Sequence, residues 1–188
     1  RVKFFPKKSQ QSRIIEDLTL TATENQFKNR KIMEELSEWI RLDSDEIEKW
    51  QDGLNPETME ITGLAGLWVR MFYDTSSVIT ESFAESTIDS TKEQLSSYGG
   101  WLLISSSDNS YSELLKAGRS MEAMFIRAAE NKLGFHIMIQ LLQEEETKNK
   151  LIRMLQLKEE PQFLIRLSHL EEYPESVSPR RDLTKIII

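Results

Sequence analysis

Three short apolar runs stand far apart in this chain: Arg1–Pro6 (RVKFFP), Gly100–Ser105 (GWLLIS) and Gln162–His169 (QFLIRLSH). Long stretches with helical spacing separate them. Strands this few, with helices between them, place the chain in the α+β or α/β class. The second run is continuous rather than alternating and is bounded by glycine and serine, which reads as a buried strand. Pro6 closes the first run. A further apolar stretch, Phe135–Gln140 (FHIMIQ), reads as extended.

The helical stretches carry their own punctuation. Ser9 caps a helix with Ile14, Ile15, Leu18 and Ala22 on one face. Thr23 with Gln26 resembles a capping box. It opens a stretch in which Ile32, Met33, Leu36, Trp39 and Ile40 fall at offsets 0, 1, 4, 7 and 8, a clear helical face. Asp43 and Glu46 offer a cap before Ile47 and Trp50. A second long helix carries Leu114, Ala117, Gly118, Met121, Phe125 and Ala128 and ends near Leu133, with Gly134 as its C-cap. Gly118 and the alanines allow close approach of a neighbour. Glu144–Leu157 reads as a short helix with acids first and Lys148, Lys150 and Arg153 later, which suits the helix dipole.

Between these helices the pattern breaks. Asp52-Gly53 and Asn55-Pro56 are turn chemistry. Gly63–Gly66 is a weak G-x-x-G that reads as a turn, and it leads into apolar Leu67–Tyr73 with Arg70 embedded. Residues 74–98 read as a loop, a lid or a poorly packed helix. Tyr173–Pro179 is a proline-punctuated loop, and Thr184–Ile188 is an apolar end that calls for a surface to dock on.

With 188 residues the chain reads as one domain, 1–188, with 51–98 as a lid or insertion. Its formal charge is 24 − 31 = −7, which argues against nucleic acid as a partner. Cysteine is absent, so disulfides and thiolate metal sites are excluded. The only histidines, His136 and His169, lie outside any H-E-x-x-H pattern and argue against zinc. No P-loop, dinucleotide fingerprint or G-x-S-x-G elbow is present. The acid runs Glu144–Glu146 and Glu171–Glu172 read as solvated surface. No apolar run reaches the about 18–20 residues that span a bilayer, so no membrane is expected. No targeting pattern is visible, which suggests the cytoplasm. The start at Arg1 suggests a piece of a longer protein. Any chemistry is then expected from a bound cofactor.

Several segments occur in a telling order. They are Leu115–Gly134 (LKAGRSMEAMFIRAAENKLG), FHIMIQ, a short helix, Pro161–His169 (PQFLIRLSH) and Ser178-Pro179-Arg180-Arg181-Asp182-Leu183. Together they resemble the C-terminal half of the FMN-dependent nitroreductase-like family. Glu35-Leu36-Ser37-Glu38-Trp39-Ile40-Arg41 is similar to an E-L-x-x-W-x-R segment of the family's tandem branch, in which two halves fuse into a pseudo-dimer. The resemblance implies a three-layer α/β/α fold with a mixed central sheet and a long core helix. It implies FMN as cofactor, NAD(P)H as hydride donor and a nitro or quinone acceptor. It also implies a homodimer, or a missing N-terminal half that completes the pocket.

Carried over residue by residue, the resemblance gives a candidate cofactor site. Arg180 and Arg181 match the tail arginines that hold the FMN phosphate. Ile137, Met138, Ile139 and Gln140 match the stretch whose backbone N–H groups face the flavin, with His136 beside it. Arg41 and Arg70 are further arginines within reach of phosphate or ribityl. The family's usual arginine-serine-x-arginine opening is not recognisable, and Ser168-His169 stands where Gly-Tyr is usual. These departures keep an alternative open: a flavin-sequestering or degenerate, non-catalytic domain that mainly forms a dimer or pseudo-dimer interface.

Overall fold

A computed structural model describes residues 1–59, 61 and 79–187. Gly63–Gly66, Leu67–Tyr73 with Arg70, and Ile188 lie outside the described residues, as does the middle of the expected 51–98 lid. The strands are β1 (Val2–Pro6), β2 (Gly100–Ser106), β3 (Leu133–Ile137) and β4 (Glu160–His169). The helices among the described residues are α1 (Gln10–Lys28), α2 (Arg30–Trp39), α3 (Ser44–Trp50), α4 (Glu81–Ser96), α5 (Tyr111–Glu130), α6 (Gln140–Gln143) and α7 (Glu145–Met154). The protein is thus α+β. It divides into two compact units, one of residues 1–26 with 88–174 and the other of 27–87 with 175–188.

The first unit is built on a four-stranded sheet of order β1-β2-β4-β3. Every pairing is antiparallel, a correction to the expected mixed sheet. The reason is topological. β2 and β3 run in the same direction, joined by α5, but β4 lies between them and opposes both. The parallel neighbours that a β–α–β connection usually produces are split by the last strand.

The unbroken apolar character of β2 follows from its position. All seven of its residues are buried. Trp101 and Leu103 point to one face, where Ile15, Leu18 and Ala22 of α1 meet Leu141, Leu151 and Leu164. Leu102 and Ile104 point to the other, against Ala117, Met121 and Met124 of α5. Helices therefore cover both faces, and a strand covered on both faces needs no polar alternation. Among the described residues no helix is long and apolar enough to cross a membrane.

Local signals decide the helix ends. Ser9 Oγ accepts from the Ser12 N–H at 3.1 Å, as its cap position requires. The Thr23 capping box does not form. Thr23 lies inside α1, and its hydroxyl donates back to the Thr19 carbonyl at 2.9 Å. The next helix is instead capped by Asn29, whose Oδ1 accepts from the Lys31 N–H at 3.1 Å. Gly134 is not the cap of α5 either, because Lys132 takes the left-handed turn at φ 53° and Gly134 enters β3. Glycine suits the close approach there: a Cβ would lie 2.6 Å from Ser168 Oγ on β4, which would have to move aside. Phe135–Gln140 is extended only as far as Ile137, since Gln140 begins α6.

A polar cluster of Ser12, Glu16 and Tyr98 sits beside this core. The Ser12 and Tyr98 hydroxyls are 2.5 Å apart, and Tyr98 also donates to Glu16 Oε1. Burial pushes the Glu16 carboxyl above its ordinary value of 4.5, opposed by the Ser12 hydrogen bond and the Lys7 charge. The folded state therefore holds this proton more tightly than the unfolded state. The resulting stabilisation is complete below 4.5 and is lost as pH rises through the raised value. Glu16→Gln keeps an acceptor but cannot ionise, so its stability should fall less than wild type between about pH 4.5 and neutrality. Urea midpoints across that range would run in parallel if Glu16 were irrelevant.

Candidate functional site

The second unit brings two of the expected arginines to one carboxylate. Ile40 and Leu42, 1% and 6% exposed, bury into a cluster with Met33. Successive residues of an extended chain face opposite ways, so Arg41 between them points away from that cluster. Asp43 closes the segment by capping α3, its Oδ1 accepting from Asp45 N–H at 2.7 Å and Glu46 N–H at 3.3 Å. After α3, Gln51 turns left-handed at φ 51° and Gly53 follows at φ 76°. The chain then runs back beside Arg41. The Arg41 N–H donates to Leu54 C=O and the Leu54 N–H to Trp39 C=O, both at 2.8 Å. Gly53 is required for this return, because a Cβ there would lie 2.3 Å from the Trp39 carbonyl oxygen.

Asp52 is thereby set between two guanidinium groups. Arg41 Nη2 lies 3.2 Å from Asp52 Oδ1, and Arg181 Nη2 pairs with Asp52 Oδ2. Arg181 Nε also donates to the Trp50 carbonyl at 3.0 Å. Arg41 Nη1 donates to the Glu38 and Ile40 carbonyls. The three side chains are 15%, 24% and 44% exposed for Arg41, Asp52 and Arg181. Arg180 behaves differently. It is not brought to this cluster; its Nη1 donates to the preceding Pro179 carbonyl at 3.2 Å. Asp182 then caps a 3-10 turn, Leu183–Lys185, by accepting from Thr184 N–H at 2.8 Å. The Thr184 hydroxyl, donating to the same oxygen at 2.7 Å, and then this N–H hold its carboxyl below the usual range.

The expected flavin-facing stretch lies in the first unit. The Met138 N–H donates to Leu164 C=O at 2.9 Å, and the Leu170 N–H to Lys132 C=O at 2.8 Å. Antiparallel pairs alternate, so these two bonds direct the amides of Leu133, Phe135 and Ile137 away from β4. Of the four expected residues, Ile137 therefore presents its N–H to the open side of the terminal strand. Met138 does not: its amide is committed and its side chain is 1% exposed within the core. Ile139 closes the first turn of α6, its carbonyl accepting from Leu142 at 2.8 Å and Gln143 at 3.2 Å. Gln140 receives Gln26 Nε2 at its carbonyl, while its buried Oε1 has no hydrogen-bond partner among the described residues. Beside this stretch, Arg166 Nη2 lies 3.1 Å from His136 Nδ1. Arginine only donates, so Nδ1 of His136 is the acceptor in this contact.

Among the described residues no cluster of His, Asp or Glu could hold a metal. An apolar hollow in the first unit, lined by Leu102, Met124, Phe135 and Leu167 with Arg127 and Asn131, has a volume of about 110 Å³. Cofactor-sized pockets begin near about 300 Å³, so it is no flavin site by itself.

The donor set does fit the phosphate end of FMN. Two guanidinium groups converge on one anionic group, and the buried Arg41 Nε has no hydrogen-bond partner among the described residues. Asp52 is the member sequence reading missed. It showed only as half of an Asp-Gly turn, and nothing in the spacing links it to Arg181. No protein-family model matches the chain, and a comparison with curated proteins finds no match.

Proposed function

We propose that this chain has the nitroreductase-like fold and is an FMN-binding oxidoreductase that passes electrons from NAD(P)H to a nitro or quinone acceptor in the cytoplasm. The observation that carries the reading is the convergence of Arg41 and Arg181, far apart in sequence, on one carboxylate. It is the arrangement a phosphate monoester needs. Bound FMN would supply the hydride and electron chemistry. Arg41 and Arg181 hold the phosphate.

The direct test is an absorbance spectrum of the purified protein followed by titration with FMN. Oxidised-flavin bands that bleach on addition of NAD(P)H support the reading. Flavin that binds and resists NAD(P)H supports the second reading, a sequestering domain. No flavin after titration supports a degenerate, interface-forming domain.

The reading also includes association through α5. Leu115 and Ile126 are 68% and 50% exposed on that helix, and nothing among the described residues lies within 4 Å of a Cβ built on Gly118. A second copy or a partner half laid along α5 buries this stripe. Light scattering should give about twice the 21.9 kDa of one chain. A strictly monomeric mass at high concentration would exclude the homodimer.

A further inference from the structure

We infer that Asp52 is an internal competitor for the anion that Arg41 and Arg181 would bind, so that its carboxylate sets the affinity and must give way when a phosphate monoester enters. This rests on the phosphate reading of the arginine pair. Each Asp52 oxygen takes one arginine: Oδ1 faces Arg41 Nη2 at 3.2 Å, and Oδ2 pairs with Arg181 Nη2. The carboxylate occupies the place where two oxygens of a phosphate would be received.

Part of the donor set is already committed to backbone carbonyls. Arg41 Nη1 is given to the Glu38 and Ile40 carbonyls, and Arg181 Nε to the Trp50 carbonyl. Nη2 of each arginine already meets Asp52, so a phosphate that takes these two donors competes with the carboxylate for them. Charge points the same way. The trio carries a net +1, from two guanidinium groups and one carboxylate, and removing the carboxylate charge doubles it. A dianion about 5 Å from a lost negative charge in a water-like medium gains roughly tenfold in affinity.

Asp52 also sits where displacement is local. It lies between the left-handed Gln51 and Gly53, in a turn held by the Arg41–Leu54 and Leu54–Trp39 backbone bonds. Those bonds do not involve the carboxylate, so its side chain can swing away while the turn stays closed.

The test uses the whole chain. Wild type, Asp52→Asn and Asp52→Glu are titrated at low salt with FMN, with riboflavin, which lacks the phosphate, and with inorganic phosphate. Calorimetry provides the readout. Asp52→Asn should bind FMN and inorganic phosphate about tenfold more tightly than wild type, with riboflavin unchanged. The gain should shrink as salt is raised. Asp52→Glu keeps the charge and should stay near wild type. If Asp52→Asn binds FMN no better or more weakly while wild type binds it, Asp52 is a structural tie. The inference then fails and the phosphate reading survives. If no variant distinguishes FMN from riboflavin and none binds phosphate, both fail. Thermal melts accompany each titration, and Asp52→Ser replaces Asp52→Asn should the latter not fold.

Discussion

Trp101→Ala should cost about 3–5 kcal/mol of folding stability, the range for deleting a fully buried large aromatic. Trp101 is 0% exposed near the start of β2, and its ring lies 5.5 Å from that of Tyr98. It is paired across the sheet with Phe5 on one side and Arg166 on the other. The cavity would open between β2 and α1, where both β2 and β4 are held by their neighbours and cannot collapse inward. Domains of this kind have about 5–15 kcal/mol in total, so this single change can consume much of it. Trp101→Phe should cost less. It keeps most of the apolar volume and removes an indole N–H that is buried without a partner among the described residues. Chemical denaturation of the three proteins measures both steps. Equal losses for the alanine and phenylalanine variants would show that the ring's volume is not what matters.

The second large effect concerns the arginines. Arg41→Ala with Arg181→Ala should weaken FMN binding by roughly 10²- to 10⁴-fold, since each charge-assisted contact contributes about 1.5–3 kcal/mol. Arg180→Ala should change it by less than about threefold, because Arg180 stands apart from the cluster and an exposed charge acts weakly through water. Fluorescence quenching of FMN during titration gives all three constants. An Arg180→Ala effect as large as that of the double variant would remove the cluster from the phosphate site. The comparison separates two residues that the sequence presents as an equivalent pair. Arg181 is engaged by Trp50 and Asp52, whereas Arg180 bonds to its own neighbour.

Much of the helix and strand content was legible because it rests on local physics. Continuous GWLLIS reads as a doubly covered strand, and it is one. The 3.6-residue stripes of α2 and α5 read as helices, and Asp43 and Ser9 act as the caps their side chains suggest. The errors were also local in appearance but tertiary in cause. Thr23 and Gln26 have the spacing of a cap, yet α1 packs as a single helix through Ala22 and beyond, so the hydroxyl turned inward to its own backbone. Gly134 looks like a helix stop, yet its lack of a side chain serves the β3–β4 contact.

The candidate site was legible in part. The sequence points to Arg41, Arg180, Arg181 and Ile137–Gln140, and does not separate Arg181 from Arg180. Which backbone amide of that stretch points outward could not be read from FHIMIQ, because it depends on the register against β4, set by residues some thirty positions away. The amino-acid sequence by itself determined where helices and strands form, that β2 is buried on both faces, and that no thiol chemistry is available. Those follow from side-chain period, residue type and turn chemistry, all of which act over a few residues. Only the tertiary structure decided that β4 inserts between β2 and β3 to make the sheet antiparallel, and that Asp52 stands between Arg41 and Arg181. Both depend on which distant segments meet, and a strand's choice of neighbour or a carboxylate's choice of partner leaves no periodic trace along the chain.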